Sequence, residues 1–286
     1  MKIMSTNNVS TGFKDEAVKA GPQHKVVSPE EWLAARTKFL QKEKEYTRLS
    51  DEMARERMAL PWEKVEKNYV FDGPEGKVSL SDLFNGRSQL IIQHFMFGPH
   101  ETEGCVGCSF AADSINGALP HLEHHDVSLA VISRAPLPVL EAFRKRMGWH
   151  FKWLSSEGSD FNYDFHVSFR KEDLATGKVF YNYGIVENLP VHLEDLQGIS
   201  CFYKDEAGDI YHTYSTYGRG GELQLTTYHY LDIAPRGRNE TGENGDLTSW
   251  VRHHDKYDEK GRVDENGKYH KDNTPGSCCS SEEKAS

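Results

Sequence analysis

Leu90-Ile91-Ile92-Gln93-His94-Phe95-Met96-Phe97 is a nearly continuous apolar run. A strand with one wet face alternates apolar and polar side chains, whereas a strand covered on both faces does not. The run therefore predicts a central strand with packed layers above and below it, which confines the chain to α/β architectures. Val127–Ser133 reads as a second buried strand. Between the two, Ala111, Ile115, Ala118 and Leu122 recur at helical spacing, and Pro120 is expected to kink or end that helix. Residues 138–147 read as a further helix, with Arg and Lys at its C-terminal end where the helix dipole favours cations. Strands alternating with helices imply parallel pairing through right-handed crossovers.

The flanks add antiparallel strands. Tyr69-Val70-Phe71 and Lys77–Leu80 surround the turn Asp72-Gly73-Pro74-Glu75-Gly76, a hairpin signature, and Ser81–Gly86 reads as one helical turn ended by glycine. Ile199–Tyr203 and Asp209–Tyr214, joined through Asp205-Glu206-Ala207-Gly208, form a late hairpin, with a helix around 221–233 after it. The sheet is thus expected to be mixed. Residues 149–198 are aromatic but carry no clear period; their rings fit either a core or a binding surface.

At the start, residues 1–26 are polar and read as a mobile arm. Residues 27–66 read as an N-terminal helical extension. Ser28, Pro29 and Glu31 make a capping box. Trp32, Leu33, Phe39, Leu40, Tyr46, Leu49 and Met53 follow as an apolar stripe, to dock on the core or on a second subunit. The α/β domain is expected over 67–235. Residues 236–286 form a polar C-terminal extension, partly disordered, with Trp250 and Val251 placed to dock on the body.

With 34 basic against 44 acidic residues the formal charge is -10, which disfavours nucleic acid and anionic membranes as partners. No stretch approaches the ~20 apolar residues of a membrane span, and Met1–Asn8 lacks the apolar core of a secretory signal. The expected compartment is the cytoplasm, where a cysteine pair reads as redox chemistry or metal binding before it reads as a staple.

Five cysteines are present, and Cys105-Val106-Gly107-Cys108 has the informative spacing. Cys-x-x-Cys puts two sulfurs one helical turn apart. At a helix start the first faces unpaired N–H groups, which favour thiolate, the species that attacks disulfides. Here the motif follows a strand and a glycine-containing loop and precedes a helix, so Cys105 is the expected nucleophile and Cys108 the resolving thiol. A metal site and a structural or relic pair are the other readings. The metal reading needs two more ligands, and no second Cys-x-x-Cys or His-x(3–5)-His lies downstream at zinc spacing. His121, His124 and His125 fall a full helix away and read as surface residues. No metal or other cofactor is therefore expected. Cys201 reads as a buried small hydrophobe, and Cys278-Cys279 as part of the polar tail.

Four blocks resemble the DUF899 family. They are Glu103-Gly104-Cys105-Val106-Gly107-Cys108-Ser109-Phe110; Ser133-Arg134-Ala135-Pro136 with Arg146-Met147-Gly148-Trp149; Gly158-Ser159-Asp160-Phe161-Asn162-Tyr163-Asp164-Phe165; and Tyr211-His212-Thr213-Tyr214-Ser215-Thr216-Tyr217. The resemblance covers roughly residues 25–257. It implies a thioredoxin-like three-layer sandwich with a central mixed sheet, an N-terminal helical extension and a polar C-terminal tail, acting as a dithiol-disulfide oxidoreductase. The partners so implied are a thiol or disulfide substrate, or a peroxide, and a cellular thiol reductant. The stripe of the N-terminal helix adds a homodimer partner.

Comparison with the wider thioredoxin group singles out three supporting residues. His94 stands where thioredoxins carry an acidic residue behind the dithiol, and could exchange a proton with it. Thr102, three residues before Cys105, matches part of the peroxiredoxin motif, although Pro99 is one residue out of place. Arg134 is the available cation for a peroxide, or else a cap for the strand–helix turn. Where thioredoxins place a cis-proline opposite the dithiol, this chain has Gln197-Gly198. The readings left open are a thiol-disulfide oxidoreductase, a peroxiredoxin-like thiol peroxidase, and a non-catalytic redox-sensing or binding module.

Overall fold

The computed structural model describes residues 24–238, 250–257, 261–263 and 269–271. The arm expected over 1–26 lies almost wholly outside them, as do Cys278 and Cys279.

Helix α1 (Pro29–Met58) begins at the expected capping box: Glu31 N–H donates to Ser28 Oγ and Ser28 N–H to the Glu31 carboxylate, both at 3.2 Å. Among the described residues its stripe docks on nothing. No residue of α1 is buried, and Trp32, Phe39, Tyr46 and Met53 stand 59, 56, 73 and 51% exposed. Near its C-terminal end the Arg57 guanidinium lies over the Tyr214 ring, 4.9 Å from its centroid.

The domain that follows is built on one eight-stranded sheet. In chain order its strands are β1 (Glu63–Lys64), β2 (Val70–Gly73), β3 (Gly76–Ser79), β4 (Gln89–His94), β5 (Val127–Ser133) and β6 (Lys152–Ser155). A side hairpin, β7 (Lys178–Tyr181) with β8 (Gly184–Glu187), precedes β9 (Gly198–Lys204) and β10 (Ile210–Tyr217). Across the sheet the order is β1-β10-β9-β4-β5-β6-β2-β3. The β4–β5–β6 pairings are parallel and all the others antiparallel, so the sheet is mixed.

Side chains of a strand alternate between its faces, and those of β4 divide two cores. On one face Leu90 and Ile92 join Phe71, Ala130, Ile132, Leu154, Phe161, Phe165 and Phe202, with Leu80 and Leu83 of helix α2 (Leu80–Leu83). On the other, Phe95 and Phe97 join Val131, Trp149, Phe151 and Trp153 beneath helices α3 (Val106–Ala112), α4 (Ile115–His124) and α5 (Leu137–Arg146). This is the three-layer α/β arrangement with an N-terminal helical extension.

Three local expectations change. The helix after the dithiol breaks at Asp113-Ser114 and not at Pro120, which sits inside α4. Ser114 Oγ donates to the Ala111 carbonyl at 2.9 Å and lies 3.2 Å from that of Gln224, so a side chain takes up the carbonyl that a continuing helix would use. The helix expected around 221–233 divides into a 3-10 segment, Gly218–Gln224, and helix α8 (Thr226–Ile233), with Leu225 at ψ 64° between them. The aromatic region, which carried no clear period, is ordered, and within it Phe180 and Tyr183 stay 42 and 66% exposed. It contributes β6, the short helices α6 (Phe161–Asp164) and α7 (Lys171–Ala175) and the β7–β8 hairpin. Trp149, Phe151, Trp153, Phe161, Phe165 and Phe169 are all buried. The pair Trp250 and Val251 reaches the body: Val251 is 1% exposed against Phe110 and Tyr228, with Trp250 packed beside it.

Phe161 is wholly buried, with ring centroids 5.0 Å from Tyr69, 5.0 Å from Phe71 and 4.7 Å from Phe165. Phe161→Ala is expected to cost about 3–5 kcal/mol, measured by urea denaturation. A loss under about 1 kcal/mol would mean that this face of the sheet is not a packed core.

Candidate dithiol site

Beyond His94 the chain leaves β4 without leaving the core. Phe95 N–H donates to the Ile132 carbonyl at 2.9 Å, and the Phe97 carbonyl accepts from Ala135 N–H at 2.8 Å. The loop Gly98–Gly104 then returns the chain to the sheet. Cys105 N–H donates to the Met96 carbonyl at 3.0 Å, so the first cysteine is stitched to the end of the central strand. Gly104 makes that return possible. A Cβ there would lie 2.6 Å from Phe95 Cε1 and 3.2 Å from Phe143 Cε1, with no room for either ring to yield inside a packed layer.

Cys105 occupies the N-cap of α3, and its carbonyl accepts from both Ser109 N–H, at 2.9 Å, and Ser109 Oγ, at 2.8 Å. Both thiols are reduced; Cys105 is part-exposed and Cys108 is buried. Their acidities are driven apart. The neighbouring Cys108 thiol first, and then the N–H groups of Cys108 and Gly107, bring Cys105 down to about 7, against burial and the Glu101 carboxylate. Cys108 is raised well above the ordinary thiol value by its bond to Cys105 and by burial. Because α3 is seven residues long, the local donors account for the shift better than a long helix dipole does.

The three supporting residues fare differently. His94 is not behind the dithiol. Its ring is 1% exposed and stacks on Phe161 and Phe165, at 5.4 and 5.8 Å, on the opposite face of the sheet from Cys105. Strand alternation explains the difference: one residue of register exchanges the faces, and Gln93, 4% exposed with its side-chain oxygen unpartnered, is on the dithiol's side. His94 Nε2 lies 2.8 Å from Ser200 Oγ, and burial with the nearby His212 lowers its pKa to about 3. Thr102 stands exposed in the loop, and the groups acting on the Cys105 sulfur are those of Cys108, Gly107 and Glu101. Arg134 does not present a free cation. Its fork grips Asp195 at 2.7 and 3.0 Å, with Glu194 at 3.1 Å and the Tyr163 hydroxyl at 2.9 Å, which fastens the end of β5 to the segment before β9.

At the place compared with the thioredoxin cis-proline, Gly198 pairs with His94 at the end of the β9–β4 ladder. A Cβ on Gly198 would lie 2.7 Å from the Tyr217 ring. No cis peptide bond occurs among the described residues. Tyr181, whose hydroxyl donates to the Gln197 carbonyl at 2.7 Å, sits near enough to Cys108 for the thiolate charge to oppose its own ionisation. Neither Tyr181 nor Glu101 carried a signal in the sequence, since one comes from a side hairpin and the other from a loop. Among the described residues no group of three His, Cys, Asp or Glu side chains is arranged to hold a metal ion, and no helix is long and apolar enough to cross a membrane. His121, His124 and His125 are exposed. Cys201, on β9 opposite Ile91, is part-buried, and burial raises its pKa to about 11.

A mixed sheet whose central strand leads into a reduced Cys-x-x-Cys at the first turn of a helix defines a thioredoxin-like α/β protein. Within that class the chain belongs to the DUF899 family, described as bacterial proteins of unknown function, whose family model matches residues 21–257. No curated protein matches it. Among solved structures it is similar to a cysteine-to-serine mutant of PrxQ from Xylella fastidiosa, at 13% identity and TM-score 0.37, over 59% of this chain and 94% of that one. It is similar to the peroxidoxin BcpB of Mycobacterium tuberculosis at 13% identity and TM-score 0.36, over 59% and 96%. A putative thiol:disulfide interchange protein DsbE from Chlorobium tepidum matches at 12% identity and TM-score 0.35, over 59% and 97%.

Two outcomes follow from the environments of His94 and Arg134. Below about pH 6.5 an unfolded chain binds a proton at His94 that the native protein refuses down to about 3, so native stability falls as pH is lowered through that window. At pH 5 the loss from this group is about 2 kcal/mol. Denaturation at pH 7 and pH 5 should show His94→Gln losing that much less than wild type, and equal losses would contradict the assignment. Arg134→Met strands Asp195, whose side chain is 12% exposed, without its partner. The expected cost is about 3–5 kcal/mol in chemical denaturation, with the acidity of Cys105 unchanged.

Proposed function

We propose that the protein is a thiol-disulfide oxidoreductase in which Cys105 attacks and Cys108 resolves. The observation that carries this reading is the split between the two thiols: one part-exposed and acidified to about 7, the other buried, with its pKa raised, and hydrogen-bonded to the first. Near neutral pH Cys105 has a substantial thiolate fraction while retaining nucleophilicity, the balance that favours fast exchange.

The Cys105 thiolate attacks a substrate disulfide, forming a mixed disulfide and expelling one substrate thiolate. Cys108 then loses its proton to that thiolate or to solvent and attacks the Cys105 sulfur, releasing the second substrate thiol. The substrate gains two electrons and the protein is left with a Cys105–Cys108 disulfide. A cellular thiol reductant, as the cytoplasm supplies, returns it to the dithiol. No metal or organic cofactor enters this cycle.

The same pair could instead reduce a peroxide through a Cys105 sulfenic acid condensed by Cys108. That reading loses two of its expected supports, because Arg134 is held by Asp195 and Glu194 and Thr102 stands clear of the sulfur's hydrogen bonds. A purely sensing module would use the same dithiol without turnover.

We also propose that a second copy of the chain covers α1. Trp32, Phe39, Tyr46 and Met53 recur every seven residues, the spacing that keeps one seam of a helix against another helix.

Insulin-disulfide reduction should be lost in Cys105→Ser, while Cys108→Ser should accumulate the mixed disulfide, detected by intact-mass spectrometry. Equal turnover in wild type and Cys105→Ser would end the reading. Stopped-flow tryptophan fluorescence with hydrogen peroxide should give a rate no faster than free cysteine; a much faster one would transfer the assignment to the peroxidase. Light scattering should report a dimer that Trp32→Glu with Phe39→Glu converts to a monomer. A monomeric wild type would remove α1 from the account.

A further inference from the structure

Residues 250–257 return to the body and run across the dithiol's helix and loop. Val251 and Trp250 pack on Phe110 and Val106 of α3. His254 Nδ1 lies 2.7 Å from the Asp113 carboxylate, at the residue that ends α3. Asp255 accepts two hydrogen bonds from Arg146, at 2.7 and 2.9 Å, at the end of α5. Lys256 donates to both oxygens of Glu103, at 2.8 and 2.9 Å, and Arg146 donates to the same carboxylate from the other side. Four separate attachments thus hold one short segment over the residues that precede and follow Cys105.

Inside this clasp is a buried polar group that the chemistry proposed above does not use. His253 is 3% exposed, with its ring edge-on to Phe143 at 5.2 Å. Its Nε2 lies 2.9 Å from the Gly104 carbonyl. A carbonyl only accepts, so Nε2 carries the hydrogen and donates it. The other ring nitrogen then faces the Arg146 guanidinium at 3.5 Å, with the Glu103 carboxylate at 4.0 Å.

The Gly104–Cys105 peptide is therefore held at both ends. Its carbonyl is fixed by His253 and its N–H by the Met96 carbonyl, at 2.9 and 3.0 Å. That peptide is the last one before the N-cap, so its orientation sets the direction in which Cys105 Cβ leaves the chain. Gly104 offers no Cβ to resist rotation, and a glycine-containing link loses its orientation readily unless hydrogen bonds impose one. We propose that His253 is a positioning residue for Cys105: by holding the Gly104 carbonyl it fixes the direction in which the Cys105 side chain leaves the start of α3. Residues 250–257 are then part of the redox site and not a tail beside it. The inference rests on the dithiol reading, in which the acidity of Cys105 matters.

The charged groups around the loop are Glu101, Glu103, Arg146, Asp255 and Lys256, and replacing His253 by a neutral residue leaves all of them in place. The test reads the thiolate directly. The rate of iodoacetamide alkylation of Cys105, followed by mass spectrometry from pH 5 to 10 on the full reduced chain, gives its midpoint without any substrate. Wild type should titrate near 7. His253→Ala should move the midpoint up by about one pH unit, which is about a tenfold slower reaction at pH 6. His253→Gln, whose amide N–H can reach the same carbonyl, should restore most of the shift. A folded His253→Ala with the wild-type midpoint overturns the proposal. If His253→Ala does not fold, Asp255→Asn with Lys256→Met loosens the clasp without touching the ring; an upward shift supports the proposal and an unchanged midpoint overturns it. A wild-type midpoint at the ordinary thiol value would remove the dithiol reading and this inference with it, a result distinct from a normal wild type with a silent variant.

Discussion

Burial of β4 on both faces is the constraint on which the molecule depends. Leu90 and Ile92 fill one core and Phe95 and Phe97 the other, so the strand cannot be shifted by one residue without exchanging the two sets. A strand fixed in this way fixes its own end. Past His94 the chain stays in the core to Phe97, makes the Gly98–Gly104 excursion and is hydrogen-bonded back, through Cys105 N–H and the Met96 carbonyl, to the segment that continues the strand. The position of the Cys105 sulfur is in that sense a consequence of packing far larger than the site.

The electrostatics of the site follow from distance and burial more than from net charge. At Cys105 the Cys108 thiol and the N–H groups of Cys108 and Gly107 outweigh both the cost of burying a thiolate and the repulsion of Glu101. Cys108, one turn further in, is the more deeply buried, and its bond to Cys105 together with that burial outweighs the Met96 N–H that favours its thiolate. A single helical turn therefore produces two thiols of opposite tendency, which is the asymmetry a two-step exchange requires. Arg134, by contrast, shows how a cation near a site can be spoken for: two carboxylates and a hydroxyl take its whole fork, and its work is to tie β5 to the segment before β9.

The polar chain His94–Ser200–Ser215–His212, linked at 2.8, 2.8 and 2.7 Å, crosses the face of the sheet opposite the dithiol. It places one buried imidazole, His94, and one half-buried, His212, among Phe161, Phe165 and Phe202, where a charge would be costly, and burial lowers the pKa of both. These histidines link acid stability to the core, on the face of the sheet away from the dithiol.

Much of this was legible in the sequence because the information is local. The apolar run of β4, the Ser28–Glu31 capping box, the two hairpins and the Cys-x-x-Cys motif each lie within a few neighbouring residues, and each formed where its pattern pointed. What depended on the partner across space was not legible. Strand β6 carried no alternation because Trp153 and Leu154 are buried on opposite faces. The break after α3 was decided by Ser114 and not by Pro120. His94 fell on the wrong face because alternation cannot say which layer the dithiol will join. The residues that hold the dithiol loop, His253, Asp255 and Lys256, stand about 150 positions from it; their ion pairs and the His253–Gly104 bond are written only in the tertiary structure. Periodicity and motif spacing thus determine which elements exist and which sulfurs stand one helical turn apart, since both are set along the chain. Which groups surround those sulfurs is decided by how the layers close, and that depends on contacts between segments with no relation in sequence.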